Sequence, residues 1–347
     1  MKNVKVILIS VALCATVFAN ARIEALGGDA GFWPGDRANA TAFPGTLNDS
    51  QWVEFGGVEG ADGPSASINW GGDVKWGFNF DAAGNDDWVN ITWAKDGMGL
   101  RVAMLSGEDF DDAGVSEGAV SGFDLGWGQA MSFGELGVGY STYDSGAAGS
   151  EAQTSLTVNW RGTCEAWLFD NAKASLSMND GTMYAVAEAE MGLWDEDAAG
   201  TLSEYSSMML DYDLFTHLKP ADGVTALVAM GFGYWSYDLG SGVDGTSMYL
   251  PNALVAVEAS MTDWATVRAH VGQSHTFSSD LGGADLRTGN NTDYGFGVGF
   301  GWTTSNGSSV SLDMEVSNSL FTDPISSMTG YKTGNLSNGE VTVSYVF

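Results

Sequence analysis

Asn338-Gly339-Glu340-Val341-Thr342-Val343-Ser344-Tyr345-Val346-Phe347 is the stretch whose reading decides the fold. Past the Asn-Gly, Val341, Val343, Tyr345 and Phe347 fall on one face. Glu340, Thr342 and Ser344 fall on the other, where only Val346 is apolar. A strict period of two describes a strand that is apolar on one side and wet on the other. Read as a closing strand, it leaves an apolar face with nothing after it to cover that face. Lipid can cover it, provided every backbone N–H and C=O is paired within a closed sheet. The expectation is an all-β fold, a transmembrane antiparallel up-and-down β-barrel.

The rest of the chain repeats the pattern. Trp76, Phe78 and Phe80 alternate with Lys75, Gly77 and Asn79, and Leu100, Val102 and Met104 flank Arg101. Phe123, Leu125 and Trp127 share a face, as do Leu210, Tyr212 and Leu214 opposite Asp211 and Asp213. Further on, Tyr294, Phe296, Val298, Phe300 and Trp302 alternate with Gly295, Gly297, Gly299 and Gly301. Short links at 219–223, 262–264 and 303–308 are interleaved with long ones at 192–206, 238–250, 274–293 and 317–340, as a barrel with one tight rim and one loop-bearing rim requires. Residues 161–178 hold either one long element or two short strands. The strand count is about 16, within 14–18, in one domain over residues 51–347.

Composition agrees. Charged residues are 16% of the chain, against roughly 25% in soluble domains, while Gly and aromatics abound. The net charge of −31 argues against a nucleic-acid partner, which needs clustered Lys and Arg. Lys2 and Lys5 precede an apolar run from Val6 to Phe18 and an Ala19-Asn20-Ala21 cleavage site. This predicts a secretory signal peptide over residues 1–21 and export through the Sec pathway. Removing it leaves Cys164 alone, so no internal disulfide is expected. No stretch could span a membrane as a helix, which needs about 20 apolar residues.

The ending resembles the C-terminal signal of Gram-negative outer-membrane β-barrel proteins. The resemblance implies an outer-membrane location and recognition of Val343, Tyr345 and Phe347 by the barrel-assembly machinery. Residues 22–50 alternate little and read as an irregular segment with a short helix, in the periplasm or tucked into the barrel mouth. Its order, Arg22-x-x-Ala25-Leu26-Gly27-Gly28, Asp36-x-Ala38-Asn39, Phe43-Pro44-Gly45-x-Leu47, is similar to the N-terminal region of the fatty-acid-transporter-like outer-membrane family. In that family an Asn-Pro-Ala-Gly signature helps form a hatch inside the barrel. Here the nearest match is Ala42-Phe43-Pro44-Gly45, without the Asn.

Alternation also assigns the lumen. The pore-lining candidates are Lys75, Arg101, Asp124, Glu188, Glu190, Asp211, Asp213, Glu258, Arg268, Asp313 and Glu315, with Asp73, Arg161, Lys173 and Glu340 on the same side. Acids in excess give a water-filled lumen a negative potential, which favours cations. The bare inner face at Gly295–Gly301 either admits a packed plug or accommodates curvature. The loops at Glu108–Asp112 and Asp195–Asp197 are acidic without matching a calcium loop, and read as solvated charge. Three histidines and the lack of any hydrolase or metalloprotease motif give no catalytic site, metal site or cofactor. The expected function is passive, porin-like diffusion of small hydrophilic solutes. The alternatives are a hatch-bearing transporter of hydrophobic compounds and a non-conducting structural or secretion-accessory barrel. Expected partners are outer-membrane lipid and lipopolysaccharide, and a homo-oligomer is compatible with the pattern.

Overall fold

The computed structural model describes residues 21–58, 65–83, 86–110, 116–144, 152–185, 201–238, 244–279, 286–305, 307–316 and 341–347. The signal-peptide reading of residues 1–20 therefore lies outside the described residues, as do Glu188, Glu190, Asp195–Asp197, Asn306, Asn338, Gly339 and Glu340. The strands are β1 (Trp52–Val58), β2 (Ser65–Gly71), β3 (Lys75–Ala83), β4 (Asp86–Lys95), β5 (Met98–Phe110), β6 (Ser116–Met131), β7 (Gly134–Asp144) and β8 (Gln153–Ala166). They continue as β9 (Phe169–Ala185), β10 (Thr201–Ala221), β11 (Val224–Asp238), β12 (Asp244–Thr262), β13 (Ala265–Ser279), β14 (Leu286–Thr303), β15 (Ser309–Val316) and β16 (Val341–Val346). Each pairs antiparallel with its sequence neighbours, and β1 pairs with β16, closing a sixteen-stranded barrel.

Residues 161–178 are a hairpin, with a tight turn at Trp167-Leu168 between β8 and β9. The other turns on that rim lie at 72–74, 96–97, 132–133, 222–223, 263–264 and 304–308. At 96–97 both Asp96 and Gly97 have positive φ, as a two-residue primed hairpin turn demands. β16 ends on the same rim, where the Phe347 N–H donates to the Gln51 C=O at 3.2 Å. The long links expected at 192–206, 238–250 and 274–293 are shorter than the sequence pattern implied. β10 already begins at Thr201, β12 at Asp244, and β13 runs to Ser279. Pairing continues there because two strands need only each other's backbone, whatever their alternation.

The wall is uneven in height. β10 has 21 residues, β12 has 19 and β14 has 18, whereas β1 and β2 have 7 each and β16 has 6. At about 3.3 Å per residue, β10 outruns a hydrocarbon core of about 30 Å even when tilted. Its upper end therefore stands clear of the membrane.

The two faces follow the alternation. Trp76, Phe78, Ile91, Leu100, Val102, Met104, Leu125 and Val343 point outward and are exposed, a face that water would penalise and lipid favours. The side chains between them, including Asn79, Asn90, Thr92, Arg101 and Asp124, are buried inside. Trp70, Trp264, Trp302 and Trp167 stand outward near the tight-turn rim, with Trp264 and Trp302 flanking Phe300 at centroid distances of 6.0 and 6.5 Å. Such an aromatic belt marks the membrane–water interface. Asp73, expected on the inner face, is instead exposed in the 72–74 turn, because β2 and β3 close one rung earlier than their alternation suggested.

Residues 21–50 fill the barrel as a plug. They form α1 (Ala21–Glu24) and three 3₁₀ turns, Ala30–Phe32, Arg37–Ala40 and Pro44–Asn48. Asp29 and Asp36 cap the first two turns by accepting the N–H of Gly31 and of Ala38, at 2.7 and 2.9 Å. Ile23, Leu26, Phe32 and Trp33 bury themselves against inward Phe215, Leu227, Ala229 and Ala256. Ala40 and Leu47 do the same against Trp52 and Ala94, with Val346, the one apolar residue on the wet face of β16, alongside.

Placing a cation on the lipid face should destabilise the barrel by about 2–4 kcal/mol near the membrane midplane. Ile91→Arg should therefore lower the denaturant midpoint of refolding into vesicles. Asp73→Asn, in the exposed turn, should leave it unchanged within about 0.5 kcal/mol.

Candidate functional site

The plug is bound to the wall by charge as well as by apolar contact. Arg22 forms ion pairs with Asp36 and with Glu258, the latter at 2.9 Å. Glu258 also takes Arg268 at 2.6 Å, and Arg268 reaches Asp313 at 2.7 Å. A relay of alternating charge thus runs from the plug through β12 and β13 to β15. Arg37 pairs with Glu54 of β1 at 2.7 Å and donates to Ser344 Oγ of β16 at 2.6 Å. Lys173 Nζ lies 2.6 Å from Asp29 of the plug and 3.0 Å from Asp213, over the face of Phe32. Arg161 pairs with Glu135 and donates to Asn39 Oδ1 at 2.7 Å, with its guanidinium 4.5 Å from the Phe43 ring centre. Buried charges need such partners, since an unpaired one costs several kcal/mol.

The plug also needs room for its backbone. A Cβ at Gly128 would lie 2.7 Å from the Pro44 nitrogen and 2.9 Å from that of Gly45, and one at Gly99 or Gly137 would collide with the plug carbonyls of Pro44 or Ala42. The inner glycines of β5, β6 and β7 are the bed on which Ala42-Phe43-Pro44-Gly45 lies. On β14, only Gly297 meets the plug, at Ala25. Gly295 lies under the His270 ring and Gly299 under Arg268 and Asp313, while Gly301 touches only the strand beside it. The bare face of β14 thus serves both plug packing and side-chain packing.

The candidate residues fall into three groups. Arg101 and Asp124 pair at 2.7 Å and are buried, as are Asp213, Arg268 and Asp313 in the pairs above. Glu258, Asp211, Glu315 and Lys75 are half-buried on the inner face; Asp211 accepts from Ser175 Oγ at 3.4 Å, and Lys75 donates to the Gly71 C=O at 3.1 Å. Glu188 and Glu190 lie outside the described residues. His217, four residues from Asp213, packs on Trp33 and Phe215, with centroids 5.0 and 5.8 Å away. Among the described residues no metal-binding cluster forms.

Two cavities flank the plug. One, of about 410 Å³, lies toward the tight-turn rim between Arg22, Trp33, Arg37, Thr266, Arg268 and Asp313. The other, of about 330 Å³, lies toward the opposite rim between Asp29, Phe32, Lys173, Asp211, Asp213 and Asn252. A far narrower gap of about 20 Å³, room for one water, lies beside the plug between Thr41, Arg101 and Asp124.

Sequence alternation missed the inner apolar patch and the glycine bed. The patch was signalled by runs apolar on both faces, Leu214-Phe215, Ala226-Leu227-Val228-Ala229 and Leu254-Val255-Ala256, which require cover inside as well as outside.

Fold and site together define a closed transmembrane β-barrel with an internal N-terminal plug. No protein-family model matches the chain, and no curated protein is similar to it in sequence. Among solved structures it is similar to the FrpB iron transporter of Neisseria meningitidis, with 9% identity, 78% of this chain and 47% of that one covered, and a TM-score of 0.36. It is similar to the toluene transporter TodX of Pseudomonas putida, with 8% identity, 94% and 96% covered, and a TM-score of 0.37. A porin mutant of Rh. blastica gives 14% identity, 86% and 98% covered, and a TM-score of 0.29. At these identities the likeness is one of fold, and the chain spans less than half the length of FrpB.

Two predictions concern the plug. Gly128→Val should evict the Pro44 turn and expose residues 21–50 to protease in the folded barrel, whereas Gly301→Ala, whose added Cβ meets no plug atom, should not. Burial pushes the Asp29 carboxyl up, but Lys173, the Gly31 N–H and Arg161 outweigh it and hold it below its ordinary value of 3.8. A depressed carboxyl contributes stability above its ordinary pKa and loses it as pH falls through the lower, folded value. Protection of the plug should therefore persist from pH 7 to about pH 4 and fall only below. In Asp29→Asn the part of that acid-side loss contributed by the Lys173 pair should be absent, leaving only the part carried by the other carboxylates that hold the plug.

Proposed function

We propose that the protein is a channel of the Gram-negative outer membrane for small hydrophilic solutes, narrowed by its plug and selective for cations. The observation that supports this reading most is the pair of polar cavities on either side of the plug within one closed wall. Solutes pass by diffusion and no bond is made or broken. The charge preference follows from how the bases are used. Arg22, Arg37, Arg101, Arg161, Lys173 and Arg268 are each held by at least one carboxylate, and Arg22, Lys173 and Arg268 by two. Asp211 faces its cavity with a serine hydroxyl as hydrogen-bond donor, so its charge acts on the lumen. In this reading the chain is exported through the Sec pathway, is assembled through Val343, Tyr345 and Phe347, and sits among lipid and lipopolysaccharide.

One observation favours a second reading, a hatch-bearing transporter of hydrophobic compounds. The inner patch at Phe215, Leu227, Ala229 and Ala256 is apolar and covered by the plug, so a displaced plug would uncover an apolar surface. The polar linings of both cavities favour the first.

Single-channel recording in a planar bilayer under a KCl gradient separates them. The refolded chain should conduct steadily with a cation-favouring reversal potential, and Asp211→Asn with Glu315→Gln should move that potential toward zero. Well-folded, heat-modifiable protein that never conducts would sink the channel reading.

A further inference from the structure

Above the plug, the tall wall of β10, β11 and β12 combines carboxylates with aromatic faces. Its inner rungs can be read in register. Asp213 stands opposite Gly231, Asp211 opposite Gly233, and Gly233 in turn opposite Tyr249. One rung farther out, Met209 stands opposite Trp235. The next joins Ser207, Tyr237 and Gly245. Successive rungs on one face are about 6.7 Å apart, so all of this lies within two rungs of Asp211.

The glycines are bare because their neighbours lie over them. The position a Gly233 Cβ would take is 2.6 Å from Asp211 Oδ1 and 3.1 Å from Tyr249 Cδ2, so carboxylate and ring edge converge on that point. Tyr237 lies across Gly245 in the same way, its Cζ 2.7 Å from the corresponding position, and its ring centre is 4.5 Å from that of Trp235. Tyr249, Trp235 and Tyr237 are all half-buried and share the inner parity of Asp211. Met209 and Asp211 also line the 330 Å³ cavity, and the three rings stand beside and above its lining rather than within it.

We infer that this wall is a binding site for small organic cations, ammonium compounds with an apolar body, held between Asp211 and the faces of Tyr249 and Trp235. The inference deepens the cation-preferring reading above and rests on it for its place in transport. The chemistry selects the class. A hard metal ion takes six to eight oxygens, and here Asp29 and Asp213 are already engaged by Lys173, while Asp293 lies 3.2 Å from His270 Nε2. One open carboxylate beside aromatic faces suits a diffuse cation instead, which ring quadrupoles attract where a neutral molecule gains no such term. Lys173 on the cavity floor repels the ammonium from going deeper and sets it at the level of Asp211.

Isothermal titration calorimetry of the refolded chain in micelles with benzyltrimethylammonium tests this, with benzyl alcohol and benzoate as the neutral and anionic counterparts. The ammonium should bind saturably and the other two should not. Asp211→Asn and Trp235→Ala should each weaken binding at least fivefold, Gly233→Ala should weaken it by displacing Asp211 and Tyr249, and Asp73→Asn should leave it unchanged. If Trp235→Ala fails to fold, Tyr249→Leu takes its place. Equal binding of benzyl alcohol, no saturable heat, or full affinity in the Asp211 and Trp235 variants would overturn the site. Binding without bilayer conductance would leave the site standing and overturn the channel, while conductance without binding would overturn the site alone.

Discussion

A peptide group in hydrocarbon has no water to bond with, and that constraint shapes everything else in this molecule. It forces a closed sheet, and a closed sheet gives every strand one face toward lipid and one toward the lumen. The outward set, from Trp76 and Phe78 through Val102 to Val343, is apolar because nothing else could face lipid. The inward set is then free to carry charge, provided each charge finds a partner. Closure falls to β1 and β16, whose pairing joins residues near 52 with residues near 346.

Inside, the plug solves the problem of a lumen too charged to be left empty and too wide to be filled by wall side chains alone. Its apolar residues sit on the tall wall, its backbone lies on the glycine bed of β5–β7, and its arginines enter the wall's own ion pairs. The Arg22–Glu258–Arg268–Asp313 relay belongs to both bodies at once. Removing Arg268 strands Asp313, and removing Arg22 strands Asp36, whereas Arg22 and Arg268 each keep a second carboxylate if Glu258 is lost.

Much of the barrel was legible because period-two alternation is local: a residue's face is fixed by its parity within its own strand. The inward position of Arg101, Asp124 and Asp213 and the outward position of Tyr345 follow from parity, whereas the strand count was bounded only to 14–18 and turned on whether residues 161–178 held one element or two. Pairing is not local. That Lys173 meets Asp213, or that Arg268 is shared by Glu258 and Asp313, depends on register between strands, and register is set by turns and bulges that alternation does not reveal. Asp73 was misplaced for that reason, being two residues beyond the strand end. The plug's position inside the wall depended on glycines at 99, 128 and 137 that look, in sequence, like any others on a strand. The runs around Phe215, Leu227 and Ala256 were the readable clue, because a wall apolar on both sides must have something on both sides.

Arg37 touches the first strand and the last together. Its guanidinium holds Glu54 and Ser344, and Ser344 itself donates to Glu54 at 2.8 Å. The plug therefore senses the seam. If β16 slipped by one residue, Val343 or Tyr345 would stand where Ser344 does, Arg37 would lose its hydroxyl, and Glu54 would face a side chain with no donor within reach or one too large for the gap. A misaligned seam is thus penalised from within the lumen, where lipid-facing residues have no say. The segment that obstructs the passage also acts as a gauge of whether the barrel has been shut in the right register.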